Sequence, residues 1–423
     1  MLGTLARDGM TLTERAEEAD VLIVNTCGFI DKAKQESIDT ILKLNQLRET
    51  GNCKALIMAG CLTQRYPQEL RRDLPEVDAI VGLNEVPRIA EIVREILEKR
   101  APAVYWSGPA KYVPDFSAPR VRLTPRHTAY VKIAEGCNHP CAFCSIPRIR
   151  GKYRSRPVAD VLAEIRALVA DGCREINLIS QDTTFYGRDL TGGPSLLSEL
   201  LRGAQAIPGD FWIRLLYTHP AHWTDELIAT IAGCDKICRY VDMPLQHIND
   251  AMLTAMKRET SGQYIRDLVA RIRAGVPGIV LRTTFIVGFP GETKAQFEEL
   301  LEFIAAAKFE RLGVFAYSQE DHTAAGNLEH QLSAKLKATR RGKAMALQQK
   351  ISRQVQRTFV GKTLRVLVEK QLETGWVGRA YADAPEIDGT ITGTEIARIG
   401  EFAKVKITSS APYDLKGELI RHG

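Results

Sequence analysis

Three cysteines at C-x3-C-x2-C constrain this chain more than any other feature: Cys137, Cys141 and Cys144, in Glu135-Gly-Cys-Asn-His-Pro-Cys-Ala-Phe-Cys. A loop this short brings three thiolates close enough to wrap three corners of a 4Fe–4S cube, and thiolates are the usual ligands of such clusters. No fourth cysteine follows at matching spacing, so one iron stays open to another ligand. Zinc is the competing metal, but structural zinc closes with four ligands, usually in C-x2-C pairs. His139 lies between two of the cysteines and would strain the loop as a fourth ligand.

The surrounding pattern says what carries this loop. From Arg122 to about Gln319 the strand candidates are Ala129–Ala134, Glu175–Ser180, Phe211–Tyr217, Tyr240–Leu245, Ile279–Val287 and Leu312–Tyr317. Helical stretches follow the first five. Six such units predict a partial (β/α)6 barrel with chemistry at the C-terminal strand ends. The cysteine loop directly follows the first strand. Before it, from Asp20 to about Lys99, three β-branched runs (Val21–Asn25, Ala55–Ala59, Val77–Val81) alternate with helical patterns, predicting a parallel α/β sheet. Ala101 to Arg120, rich in Pro and Gly, reads as a linker. From Gly361 onward, short strands between Gly and Asp turns predict a small β-barrel. The fold class is thus α/β with a C-terminal β-barrel. Its divisions are 1–100, a barrel at 121–330, a basic helical connector at 331–358 and an end domain at 359–423.

Further candidate ligands sit at strand ends. Cys27 ends the first strand of the N-terminal sheet and Cys61 the second, on the edge where parallel sheets bind ligands. They are either ligands of a second cluster or plain buried thiols. Cys53 precedes the strand that Cys61 follows, roughly 25 Å away at the rise of a strand, and cannot join them. Cys173, Cys234 and Cys238 read as structural. In the barrel, Gln181 and Asp182 end the second strand, Gln246 the fourth, and Gly288 to Glu292 the fifth. Polar groups at three strand ends suit a pocket for a zwitterionic nucleotide-like ligand.

The 423 residues carry a net charge of +6, with 26% charged and 45% hydrophobic residues, as in ordinary globular proteins. No run approaches the eighteen or so apolar residues that span a bilayer, and no secretory signal opens the chain. The nine cysteines fit metal or redox use in a reducing cytoplasm. Charge is uneven: Gln331 to Thr358 holds eight basic residues and no acidic one. That segment reads as a helix with Leu332, Leu336, Leu347, Ile351 and Val355 inward and its cations outward, facing either solvent or RNA.

Taken together, these motifs resemble the methylthiotransferase branch of the radical S-adenosylmethionine (SAM) superfamily, over essentially the whole chain. The cysteine spacing with Phe143 before its last member is the superfamily's signature. Asn25-Thr-Cys-Gly-Phe-Ile-Asp, Ile179-Ser-Gln-Asp-Thr-Thr, Tyr381-Ala-Asp-Ala-Pro-Glu-Ile-Asp-Gly and Tyr413-Asp-Leu-Lys-Gly resemble the RimO type, which modifies an aspartate of small-subunit ribosomal protein uS12. The resemblance implies a radical-generating cluster on Cys137, Cys141 and Cys144. It further implies SAM on the open iron, lined by Phe143, Gln181, Asp182, Gln246, Gly288 and Glu292, and an electron donor. It also implies a TRAM domain at the C-terminus. Cys27 and Cys61 match two of three ligands of an auxiliary 4Fe–4S cluster. The third belongs on a strand some twenty residues before Met1, so the expectation for the chain as written is about four bound irons rather than eight. The alternatives are a tRNA adenosine methylthiotransferase, or an inactive binder if the auxiliary cluster fails to form. From Gly361 onward nine basic residues balance nine acidic ones, a neutrality that suits a basic ribosomal protein better than tRNA.

Overall fold

The computed structural model describes residues 1–99 and 103–420. These cluster into two compact units: 1–99 and 103–121 with 135–154 and 318–327, and 122–134 with 155–317 and 328–420. The units cut across the linear divisions read from the sequence.

The first unit is built on a four-stranded parallel sheet, Val21–Thr26, Ala55–Gly60, Ala79–Val81 and Ala103–Tyr105 in sequential order. The second strand is buried along its whole length, which explains its unbroken apolar sequence: parallel sheets are covered on both faces. Alternation sends Ala55, Ile57 and Ala59 toward Ile89, Ile92, Val93 and Ile96 of one helix. Leu56 and Met58 pack on the other side with Ile41, Leu62 and Leu70. The fourth strand corrects the linker reading. Ala103–Tyr105 is only three residues long, with no alternation to betray it, yet it pairs in parallel with Ala79–Val81. A helix at Leu2–Arg7, also not foreseen, places Leu5 in the first of these cores.

In the second unit, six parallel strands run in sequential order: Thr128–Lys132, Glu175–Ile179, Trp212–Leu215, Ile237–Asp242, Val280–Val287 and Arg311–Ala316. This is the expected open (β/α)6 arrangement. The fourth strand begins three residues earlier than expected, because Ile237 and Cys238 are buried strand rather than a preceding loop. Five further strands from Thr363–Leu372 to Leu415–Leu419 close a small barrel.

Buried ion pairs join this small barrel to the floor of the large one. Glu175, with no exposed surface, lies 2.9 Å from Arg214 and is also paired with Arg379, which reaches Glu369 at 2.7 Å. Arg311 pairs with Asp383, and the Tyr240 hydroxyl donates to Asp388 at 2.6 Å. Charges this deep persist only when each has a partner. The run Tyr381–Gly389 is therefore a latch: its acidic side chains neutralise arginines that fill the barrel floor.

The basic helix spans Ala334–Arg357, capped by Ser333. Its inward face differs from the expected leucine stripe. Leu336 is exposed, while Arg340, Ala344, Gln348, Ile351, Ser352 and Gln356 are buried. Arg340 pairs with Glu292 at 2.7 Å, Gln348 donates to the Phe309 carbonyl at 2.8 Å and Ser352 to the Pro412 carbonyl at 2.7 Å. Polar side chains that satisfy loop carbonyls took the place of apolar ones, and hydrophobic periodicity cannot register them.

Candidate functional site

In the first unit the cysteine loop is fixed at both ends by its backbone. Gly136 has φ +83°, and a Cβ there would lie 2.1 Å from the Lys152 carbonyl oxygen, so only glycine admits this approach. The Cys137 N–H donates to the Gly151 carbonyl at 3.1 Å, the Cys144 N–H to the Cys141 carbonyl at 3.1 Å, and the Ala325 N–H to the Ala142 carbonyl at 2.8 Å. Cys137 is buried, whereas Cys141, Phe143 and Cys144 are half-buried. The Ile146 N–H points at Cys144 Sγ from 3.4 Å, a contact that favours an electron-rich sulfur. Three thiols on a pinned loop with an amide aimed at one of them fit the thiolate ligation of an iron–sulfur cluster.

Cys27 and Cys61 stand in the same unit at the ends of adjacent parallel strands. Thr26 and Gly60 are register partners and the last residues of their strands, so the residue that follows each strand is a cysteine. Gly60 takes φ +117°, and a Cβ there would strike the Thr26 carbonyl at 2.6 Å; a side chain would push the strand ends apart. The Cys27 N–H donates to Ser37 Oγ at 3.1 Å, and Arg65 holds the Gly28 carbonyl at 2.8 Å. Cys53 is buried at the opposite end of the strand, as its spacing required. Sequence reasoning missed Arg150. Its guanidinium lies 3.1 Å from Cys61 Sγ and 2.8 Å from Glu135. Only its position, six residues beyond the last cysteine of the loop, could have drawn attention to it.

In the second unit the strand-end residues divide by what holds them. Gln181 and Gln246 each carry a buried side-chain oxygen without a hydrogen-bond partner. Buried acceptors are nearly always satisfied, so two orphaned ones fit a ligand that brings N–H or O–H donors, as the ammonium and ribose of SAM do. Gln246 sits at φ +72°, clamped by ladder bonds at 2.8 Å to the Thr284 carbonyl and from the Ile286 N–H. Asp182 is engaged differently: it caps the turn that follows, accepting from the Thr184 N–H at 2.9 Å, and lies 2.9 Å from His222 Nδ1. The Glu292 carboxylate is taken up by Arg340, by the Gly288 N–H and, at 3.4 Å, by His247. It braces the Gly288 turn. Cys173, Cys234 and Cys238 are buried, and burial pushes the Cys238 thiol up to about 11, as an inert structural thiol requires.

Residues 131–304 match the radical SAM superfamily, residues 1–82 the uncharacterized protein family UPF0004, and residues 360–420 the TRAM domain. The ribosomal protein uS12 methylthiotransferase RimO of Opitutus terrae is 55% identical, with 98% of this chain and 92% of that protein covered. The chain belongs to the RimO family. The RimO of Geobacter sulfurreducens is 49% identical over 99% of this chain and 94% of its own length. Among solved structures, the radical SAM methyltransferase TsrM of Kitasatospora setae superposes with a TM-score of 0.54 at 16% identity, covering 74% of this chain and 64% of that one. That likeness concerns the fold alone. RimO membership accounts for the three parts found here in one chain: a parallel sheet with paired cysteines, a radical SAM barrel and a closed TRAM barrel.

Proposed function

We propose that this chain adds a methylthio group to the β-carbon of an aspartate in small-subunit ribosomal protein uS12. The observation that carries the reading is 55% identity to a RimO protein over 98% of this chain and 92% of that protein, in a chain that retains the three-cysteine loop. Cys137, Cys141 and Cys144 are the ligands of the radical-generating cluster, and Cys27 and Cys61 are two of the three ligands that the auxiliary one requires. When bound, the clusters and SAM supply the radical that removes a hydrogen atom and the sulfur and methyl that replace it. The protein's own groups orient and shield. Gln181 and Gln246 offer acceptors to the SAM ammonium and ribose. Asp182 holds the turn that follows Gln181, Glu292 braces the turn at Gly288, which at φ +75° packs against Lys337, and Phe143 gives the cluster loop an apolar wall. The roles divide along the chain as 1–100 for the auxiliary cluster, 121–330 for radical chemistry, 331–358 as connector and 359–423 as the TRAM domain.

The substrate is met within the ribosomal particle, in the cytoplasm. Lys335, Lys343, Lys350, Arg353 and Arg357 are all exposed and, at roughly 100° per residue, fall within about 80° of arc on the helix Ala334–Arg357. A basic stripe repels a basic ribosomal protein and attracts RNA phosphates around it. Among the described residues no helix is long and apolar enough to cross a membrane. The test offers the anaerobically reconstituted protein uS12 in small subunits, free uS12 and tRNA, and follows methylthiolation by mass spectrometry. Product on uS12 supports the reading; product on tRNA adenosine alone overturns it.

A further inference from the structure

Tyr217 follows the third barrel strand, Trp212–Leu215, and is the one exposed residue from Phe211 to Pro220. Its surface is 49% exposed. Its φ is +59°, a left-handed value at which a bulky side chain is an outlier and stores strain. The backbone around it is pinned. The Tyr217 N–H donates to Asp242 Oδ2 at 3.1 Å, and its carbonyl accepts from the Thr183 N–H at 2.9 Å. The Thr218 N–H and Oγ1 each donate to the Asp242 carbonyl at 2.8 Å. These bonds tie Tyr217 to the ends of the second and fourth strands, the ends that carry Gln181 and Gln246. Asp242 pairs with Arg282 at 2.7 Å, and Arg282 lies 3.7 Å from Asp388 of the latch on the barrel floor. The charges of Asp242 and Arg282 both reach the Tyr217 phenol, so the ring stands over the barrel interior rather than its outer wall. A fold that needed only a turn here would place Gly or Asn at this φ. An exposed ring held there against strain marks a contact with something that enters the barrel.

We propose that Tyr217 binds the protein substrate: its ring packs on the uS12 segment that enters the barrel, and its hydroxyl donates to the carboxylate of the target aspartate. The inference rests on uS12 being the substrate. A segment offered to a radical must be held still, because only a carbon fixed at contact distance loses its hydrogen cleanly. Tyrosine supplies a large contact area with only two side-chain torsions to freeze. Its hydroxyl donates to a carboxylate, and the nearby Asp242 does not repel that carboxylate because Arg282 neutralises it. The pinned, strained backbone sets the ring in place before the substrate arrives, which leaves less ordering to be done on binding.

The experiment uses the full chain, reconstituted anaerobically, and small subunits whose uS12 carries aspartate deuterated at the β-carbon. Deuterium arriving in 5′-deoxyadenosine reports hydrogen abstraction alone, which needs only the cluster on Cys137, Cys141 and Cys144. Y217F is expected to raise the KM for small subunits roughly tenfold, the loss of one hydrogen bond to a charged group. Y217G and Y217N, both at ease at positive φ, should raise it further and lower the deuterium transferred per SAM cleaved. They should melt no lower than native protein, since strain is relieved, and should bind SAM as it does in isothermal titration. A ring that merely filled space would give the reverse, a lower melting temperature at native KM. Native KM and native deuterium transfer in Y217G and Y217N overturn the proposal, as does a loss that tracks melting temperature or SAM affinity. If Y217G and Y217N fail to fold, Y217F decides: a raised KM supports the role and an unchanged one overturns it. If native protein cleaves SAM but takes no deuterium from uS12, the substrate reading itself fails, and the role of Tyr217 falls with it.

Discussion

At the scale of single residues, the two sets of cysteines make separable predictions. Replacing Cys137, Cys141 or Cys144 with Ala should abolish formation of 5′-deoxyadenosine, because an open iron needs all three thiolates to hold its cluster. Replacing Cys27 or Cys61 should leave SAM cleavage largely intact while removing methylthio transfer. Chromatography of the nucleoside and mass spectrometry of uS12 check both. The orphaned oxygens of Gln181 and Gln246 predict a further effect. Q246A loses a hydrogen bond of about 1 kcal/mol, which weakens SAM binding roughly fivefold, measurable by isothermal titration on the reconstituted protein. The cysteine loop was legible because ligand spacing is a sequence property. Arg150 was not, since what distinguishes it is a reach of 89 positions along the chain to Cys61. Asp182 and Glu292 were legible as strand-end polar residues, but their engagement by Thr184, His222 and Arg340 depends on tertiary neighbours.

Among the elements, the basic helix Ala334–Arg357 shows what periodicity reads and what it misses. Its extent follows from composition and the Ser333 cap. Its buried face does not, because Arg340, Gln348, Ser352 and Gln356 are there to meet particular carbonyls and one carboxylate. Replacing Arg340 with Met leaves Glu292 buried without its cation, and an expected loss of about 3–5 kcal/mol follows, read from urea denaturation. The outward stripe predicts a different response. Engaging five phosphates makes association with small subunits fall on the order of 10²-fold between 50 and 200 mM salt. Changing Lys343, Lys350 and Arg353 to Gln should flatten that slope, as sedimentation binding at several salt concentrations would reveal. The strand Ala103–Tyr105 escaped notice because three residues in a Pro-rich stretch carry no periodic signal; only pairing with Ala79–Val81 makes them a strand.

For the whole molecule, the TRAM barrel's attachment through buried charges predicts how stability depends on pH. Burial works to raise the Glu369 carboxyl, but the His127 ring 3.8 Å away together with the hydrogen bond and charge of Arg379 outweigh it and hold the group down to about 2, against an ordinary 4.5. A depressed carboxyl adds stability in full above its unfolded value and loses it as pH falls from about 4.5 to about 2. The stability difference between native protein and E369Q should therefore shrink across that window, and thermal melts at a series of acid pH values check it. The Tyr381–Gly389 run, legible only as a family resemblance, acquires its physical meaning here, as counter-charge for Arg311 through Asp383 and hydrogen-bond partner of Tyr240 through Asp388. One assay reaches the proposed reaction most directly: anaerobic turnover with SAM, reductant and purified small subunits, followed by peptide mass spectrometry of uS12. The predicted result is one methylthio group on a single uS12 aspartate, absent with C141A. Fully loaded protein that cleaves SAM yet leaves uS12 unmodified while methylthiolating tRNA would contradict it.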